Sequence, residues 1–239
     1  MMSSMRKCDV MIAAVASVLL ALSFGATINA AAQAEKTPYP AMAPLDQYLI
    51  ADKNSEIALA RSAAPPSISK EADVMVLGRD GYTTALKGSN GFVCIVERSW
   101  ASSSTQPDFW NPKLRAPHCF NAAAARSFLP IFLMRTKLAL AGKSKSEIVQ
   151  ATEAAFAKKQ LPTLEPGAMV YMMSRQQYLN DKDKVWHPHL MFFAPVGTEK
   201  SWGANLPSSP IIAANDPEER VTIFMVMVGN WSDGTPAKM

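Results

Sequence analysis

The chain is short of the residues on which most recognisable chemistry is built. Three cysteines and three histidines are spread over 239 residues. No Cys-x-x-Cys pair occurs, which sets aside a thioredoxin-like redox motif and a zinc ribbon. No glycine-rich phosphate loop or dinucleotide fingerprint is present. The nearest approach to a nucleophile elbow, Gly88-Ser89-Asn90-Gly91, lacks the Gly-x-Ser-x-Gly spacing and reads as a turn. Basic residues form no cluster interleaved with aromatics, so nucleic acid is not an expected partner. After one apolar run near the start, no stretch is long enough to cross a bilayer, and no fixed repeat period is visible.

What is present begins with that apolar run. Arg6 and Lys7 precede an uncharged stretch from Val10 to Phe24, and Ala32-Gln33-Ala34 supplies the small residues that signal peptidase requires. Residues 1–34 therefore read as a cleaved signal peptide, with a retained anchor as the rival reading. Export to the periplasm or beyond is expected, with no stable membrane span after cleavage. Removal of 34 of the 239 residues leaves 205, enough for one domain with its own core. The segment takes Arg6, Lys7 and Asp9 with it, so the formal charge falls from +4 to +3. Residues 35–43 are proline-rich and read as a flexible leader, and 44–239 as a single globular domain.

Cys8 leaves with the signal. Two cysteines then remain in an exported chain, so Cys94 and Cys119 are expected to form one disulfide. The segment it closes carries Trp100, Phe109 and Trp110. Buried, these rings cover the core; exposed, together with those of the 202–212 loop, they form a binding platform.

Leu45, Tyr48 and Leu49, then Ile57, Leu59 and Ala60, recur at helical spacing, with Ser55 as a candidate cap. Three short runs follow, Val74 to Leu77, Tyr82 to Leu86 and Phe92 to Glu97. Asp80-Gly81 and Gly88 to Gly91 suit tight turns, which predicts a three-stranded antiparallel meander. Cys94 should face the core, and Glu97 and Arg98 should mark the return to solvent. Asn121 caps a helix restarted at Pro130, and Ser144 with Glu147 has capping-box spacing ahead of Ile148, Thr152 and Ala155. Ala168 to Ser174, Trp186 to Phe193 and Val221 to Val228 read as strands. The order predicts an α+β fold: an antiparallel or mixed sheet of about six strands with helices packed mainly on one face.

The residues Asn90-Gly91-Phe92-Val93-Cys94, Cys119, Gly167, Tyr171-Met172 and Pro188-His189-Leu190-Met191 together resemble a pattern of uncharacterised secreted bacterial proteins, over about residues 57 to 195. The resemblance implies export and the union of these motifs in one domain. It carries no known activity, and His187 stands outside the pattern.

The candidate site is Trp186 to Phe193. In a strand, His187, His189 and Met191 share one face. Two imidazoles and a thioether suit copper or zinc, with His118 or Met173 as a further ligand from elsewhere. Pro188 suggests an edge position or a bulge, and His118 reads as a surface histidine. Three functions follow as expectations: a noncatalytic envelope protein that binds a small molecule or another protein, a periplasmic metal binder, or a hydrolase using His189.

Overall fold

The computed structural model describes residues 38–237. The expected signal peptide lies outside the described residues, as do residues 35–37 of the expected leader. Among the described residues, no helix is long and apolar enough to cross a membrane.

A single turn at Leu45–Gln47 leads into α1 (Lys53–Arg61). Its cap is Asp52, whose carboxylate accepts from the backbone N–H groups of Asn54 and Ser55. Ser55, expected in that role, instead donates its hydroxyl to Asp52. The short α2 (Pro66–Ser69) follows, then β1 (Asp73–Gly78), β2 (Gly81–Leu86), β3 (Val93–Glu97) and β4 (Ala116–Phe120). Three helices come next, α3 (Ala122–Ser127), α4 (Leu129–Leu140) and α5 (Lys145–Ala157). Asn121 caps α3, and Ser144 with Glu147 closes a full capping box on α5. Four strands end the chain: β5 (Met169–Met172), β6 (His189–Pro195), β7 (Ile211–Asp216) and β8 (Val221–Met227).

All eight strands join one mixed sheet in the order β2-β1-β3-β4-β5-β6-β8-β7. Every neighbouring pair is antiparallel except β1 and β3, which run parallel. The expected meander is therefore replaced by a hairpin and a crossover. Gly88 to Gly91 does not turn β2 back on itself but carries the chain across the start of β1. Asp73 accepts from the Gly88 N–H at 2.6 Å, and the Glu71 carbonyl accepts from Ser89 and Asn90. Gly88 lies so close to this segment that a Cβ would stand 2.1 Å from the Glu71 oxygen, so the crossing needs glycine.

Alternation along β3 divides the core. Cys94 and Val96, with Val74 and Cys119, meet Ala60, Ala63 and Ala64 of α1 and the turn after it. Small side chains let this helix approach closely. The Cys94–Cys119 disulfide lies here, joining register partners on β3 and β4. On the opposite face Ile95, Phe120, Val170 and Phe193 pack beneath Phe128, Ile131 and Phe132, so α3 to α5 cover that side. Each such large apolar side chain contributes about 1.5–3 kcal/mol on burial.

The aromatic segment after β3 is internal. Trp100, Phe109 and Trp110 are buried with Tyr48, Leu77 and Ile148, and the Trp100 indole donates to Thr136 at 3.0 Å. Buried rings of this kind cannot serve as an exposed platform. Tyr39, Met42 and Ala43, from the expected leader, pack against the same cluster. Trp202 is 44% exposed, with its ring stacked 4.3 Å from that of Phe224.

Candidate binding site

Over the α3–α5 face the sheet, α4 and two loops enclose a cavity of about 710 Å³. Strand alternation places its floor. In β4, Ala116, His118 and Phe120 share the cavity side; in β6, His189, Met191 and Phe193 do. Met172 of β5 pairs with His189, and one step further along the β4–β5 register His118 stands opposite Met172. A row His118, Met172, His189 thus crosses three adjacent strands. Met191 and Met225, themselves register partners, add to the lining. Phe128 and Phe132 close one wall, and Leu179 and Trp186 from the loop before β6 close another.

Both histidines are buried, His118 at 5% and His189 at 2% exposure. His118 Nδ1 lies 3.0 Å from the Ala116 carbonyl, and His189 Nδ1 lies 2.7 Å from the His187 carbonyl. A carbonyl only accepts, so each Nδ1 carries the hydrogen and each Nε2 keeps its lone pair. Burial lowers the His118 pKa to about 4 and shifts His189 downward as well. Both rings are neutral near pH 7. The Trp186 ring meets His189 edge-on at 4.7 Å.

Acidic groups stand beside the histidines. Glu97 Oε2 is 3.5 Å from His118 Nδ1, while Oε1 is buried without a hydrogen-bond partner. Burial, reinforced by the negative charge of Glu219, raises the Glu97 pKa well above the usual carboxylate range. Glu219, in the turn between β7 and β8, accepts from Arg135 of α4 at 2.8 Å. Burial nevertheless pushes Glu219 up to about 8, with Asp216 and Glu218 opposing its ionisation. Near the mouth, Asp181 accepts from Tyr39, Tyr178 and Lys113.

The structure brings together only part of the expected site. His189 and Met191 line the cavity, but His187 precedes β6, is exposed and contributes its backbone carbonyl. Pro188 ends the extended run before His187 can join the strand. β6 lies between β5 and β8, so the expected edge position is corrected to an interior one. His118, read as a surface residue, is a buried lining residue instead. Glu97 and Arg98, expected to emerge into solvent, are both buried. Met173 does not line the cavity, while its neighbour Met172 does. Among the described residues, no three His, Cys, Asp or Glu side chains are grouped to hold a metal ion.

Glu219 and Arg135 had no signal in the sequence, since neither sits in a motif. The one available hint for His118 is its position next to Cys119, the partner of Cys94 across the β3–β4 register. No family model matches the chain, no curated protein matches it, and no solved structure matches it.

Proposed function

We propose that this is a noncatalytic exported protein that holds a small, mainly apolar molecule in the cavity over the α3–α5 face. The observation that carries the reading is the cavity itself. About 710 Å³ is the size of a small-molecule site, with phenylalanine and methionine on its inner walls, Glu97, His118, His189 and Glu219 on its floor, and the charged, exposed residues Asp181, Lys182 and Asp183 also in its lining. Methionine side chains adapt to varied shapes, which suits a binding pocket better than a transition-state template. His189 has its Nδ1 committed to a backbone carbonyl rather than to a carboxylate, an arrangement that fixes the ring without making it a stronger base. Export rests on the Arg6-Lys7 and Val10 to Phe24 pattern, and the disulfide is compatible with it.

Titration with Nile red tests the reading. Wild-type protein is expected to give a saturable rise in dye fluorescence with one site per chain. Met191→Trp, which fills the cavity, should abolish it while far-ultraviolet circular dichroism stays native. Saturable binding of equal strength in both proteins would place the dye elsewhere and remove the proposal.

A further inference from the structure

The floor of the cavity is rich in acceptors and poor in donors. Glu97 Oε1 is buried and unpartnered on a side chain that is 9% exposed. His118 and His189 each direct Nδ1–H to the backbone, which leaves Nε2 of two cavity-lining rings as acceptors. A buried acceptor without a donor is costly, at about 1–3 kcal/mol for a neutral group, and Glu97 Oε1 is one. A ligand that supplies several N–H groups at one point would relieve that cost.

The charges point the same way. Glu97 and Glu219 line the cavity, Glu218 and Asp216 stand behind them, and Arg135 is the cation among these groups. Arg135 donates through Nη1 to Glu219 at 2.8 Å and to the Ala101 carbonyl at 3.0 Å, while its Nε and Nη2 are buried without a hydrogen-bond partner. Glu97 makes no ion pair with Arg135, whose charge acts on it only from a distance and against the larger effect of burial. Phe120, which stacks on His118 at 5.8 Å, and Phe132 add aromatic faces of the kind that attract ammonium groups.

We propose that the ligand is an apolar molecule ending in a primary ammonium group, which donates to Glu97 Oε1 and to the Nε2 atoms of His118 and His189. This rests on the cavity being a small-molecule site. The ammonium group supplies three donors, and its charge favours the ionised form of Glu97, which burial otherwise keeps protonated. The hydrocarbon body lies against Met172, Met191 and the phenylalanines.

Calorimetric titration of the protein with octylamine and with octanol separates the two levels of the argument. These probes share a chain and differ in the charged head. Octylamine is expected to bind about tenfold or more tightly than octanol, the margin of a charge-assisted over a neutral hydrogen bond. In Glu97→Gln the ratio of the two affinities should fall to about two or less, with the urea midpoint showing that the variant is folded. Equal binding of both probes to wild-type protein, or a ratio that survives Glu97→Gln, overturns the ammonium assignment and leaves the cavity a binding site. Absence of binding by either probe overturns the small-molecule reading and the ammonium assignment together.

Discussion

Glu97 and Arg98 are neighbours in the chain, both are buried, and they meet opposite fates. Arg98 turns toward α1, where its guanidinium donates to the carbonyls of Tyr48 and Val96 and to Glu56, which is itself 1% exposed. Glu56 in turn accepts from the Leu77 N–H at 3.0 Å. That pair is balanced in charge and satisfied in hydrogen bonds, so it is architecture. Glu97 turns into the cavity, where one oxygen has no partner and a second carboxylate stands nearby. Burial alone therefore does not distinguish a structural charge from a functional one. The difference lies in whether the protein supplies the partner or leaves the place open.

The comparison breaks most visibly on the α1 side. Arg98→Met leaves Glu56 buried without its cation, and a loss of about 3–5 kcal/mol is expected in urea denaturation. A loss below about 1 kcal/mol would mean that the pair is not the anchor described. Replacing Cys94 and Cys119 together by alanine removes the staple between β3 and β4 beside α1. The expected cost is about 3 kcal/mol, read as a lower urea midpoint, and an unchanged midpoint would contradict it.

On the cavity side the effect is smaller and appears as a pH dependence. Buried carboxyls whose pKa values are raised keep their protons in the folded state after the unfolded chain has lost them. Their contribution is full below the ordinary value of 4.5 and is lost as pH rises toward about 8 for Glu219. His118 acts in the opposite sense, because its folded value of about 4 lies below the ordinary 6.5, so stability from it is gained as pH rises between those values. His189, shifted downward, adds to that gain below 6.5. The two effects oppose each other below pH 6.5. Above it the histidines are neutral in both states and only the carboxyls change. Unfolding free energy is therefore expected to fall from pH 6.5 to 8, and to fall less steeply in Glu219→Gln. A flat wild-type profile over that interval would show that Glu219 is already ionised by pH 6.5 in the folded state.

Much of the frame is legible in the sequence because it depends on local signals. The Asn121 cap and the Ser144–Glu147 box each mark a boundary by chemistry that acts within four residues. The disulfide follows from there being two cysteines left after the expected signal. β4 was hidden because Ala116 to Phe120 is buried on both sides and so lacks alternation, and Pro117 argues against a strand. β7 was hidden because an edge strand of Ile211-Ile212-Ala213-Ala214-Asn215-Asp216 carries little apolar contrast. The parallel pairing of β1 with β3 is a long-range choice that the turn residues do not reveal. Only half of the site is legible for the same reason. His189 and Met191 were visible as a strand pattern, whereas His118, Glu97 and Glu219 join them only through a register across β3 to β8.

A binding protein of this kind requires a cavity that admits a ligand. The chain has 14 methionines, of which Met172, Met191 and Met225 line the cavity, while Met75 and Met134 pack in the same core outside its lining. Methyl-labelled methionine resonances followed during an octanol titration read the site directly. Saturable shifts of Met172, Met191 and Met225, with Met75 and Met134 unmoved, are the predicted result; no shift in the three lining methyls at saturating octanol would contradict it.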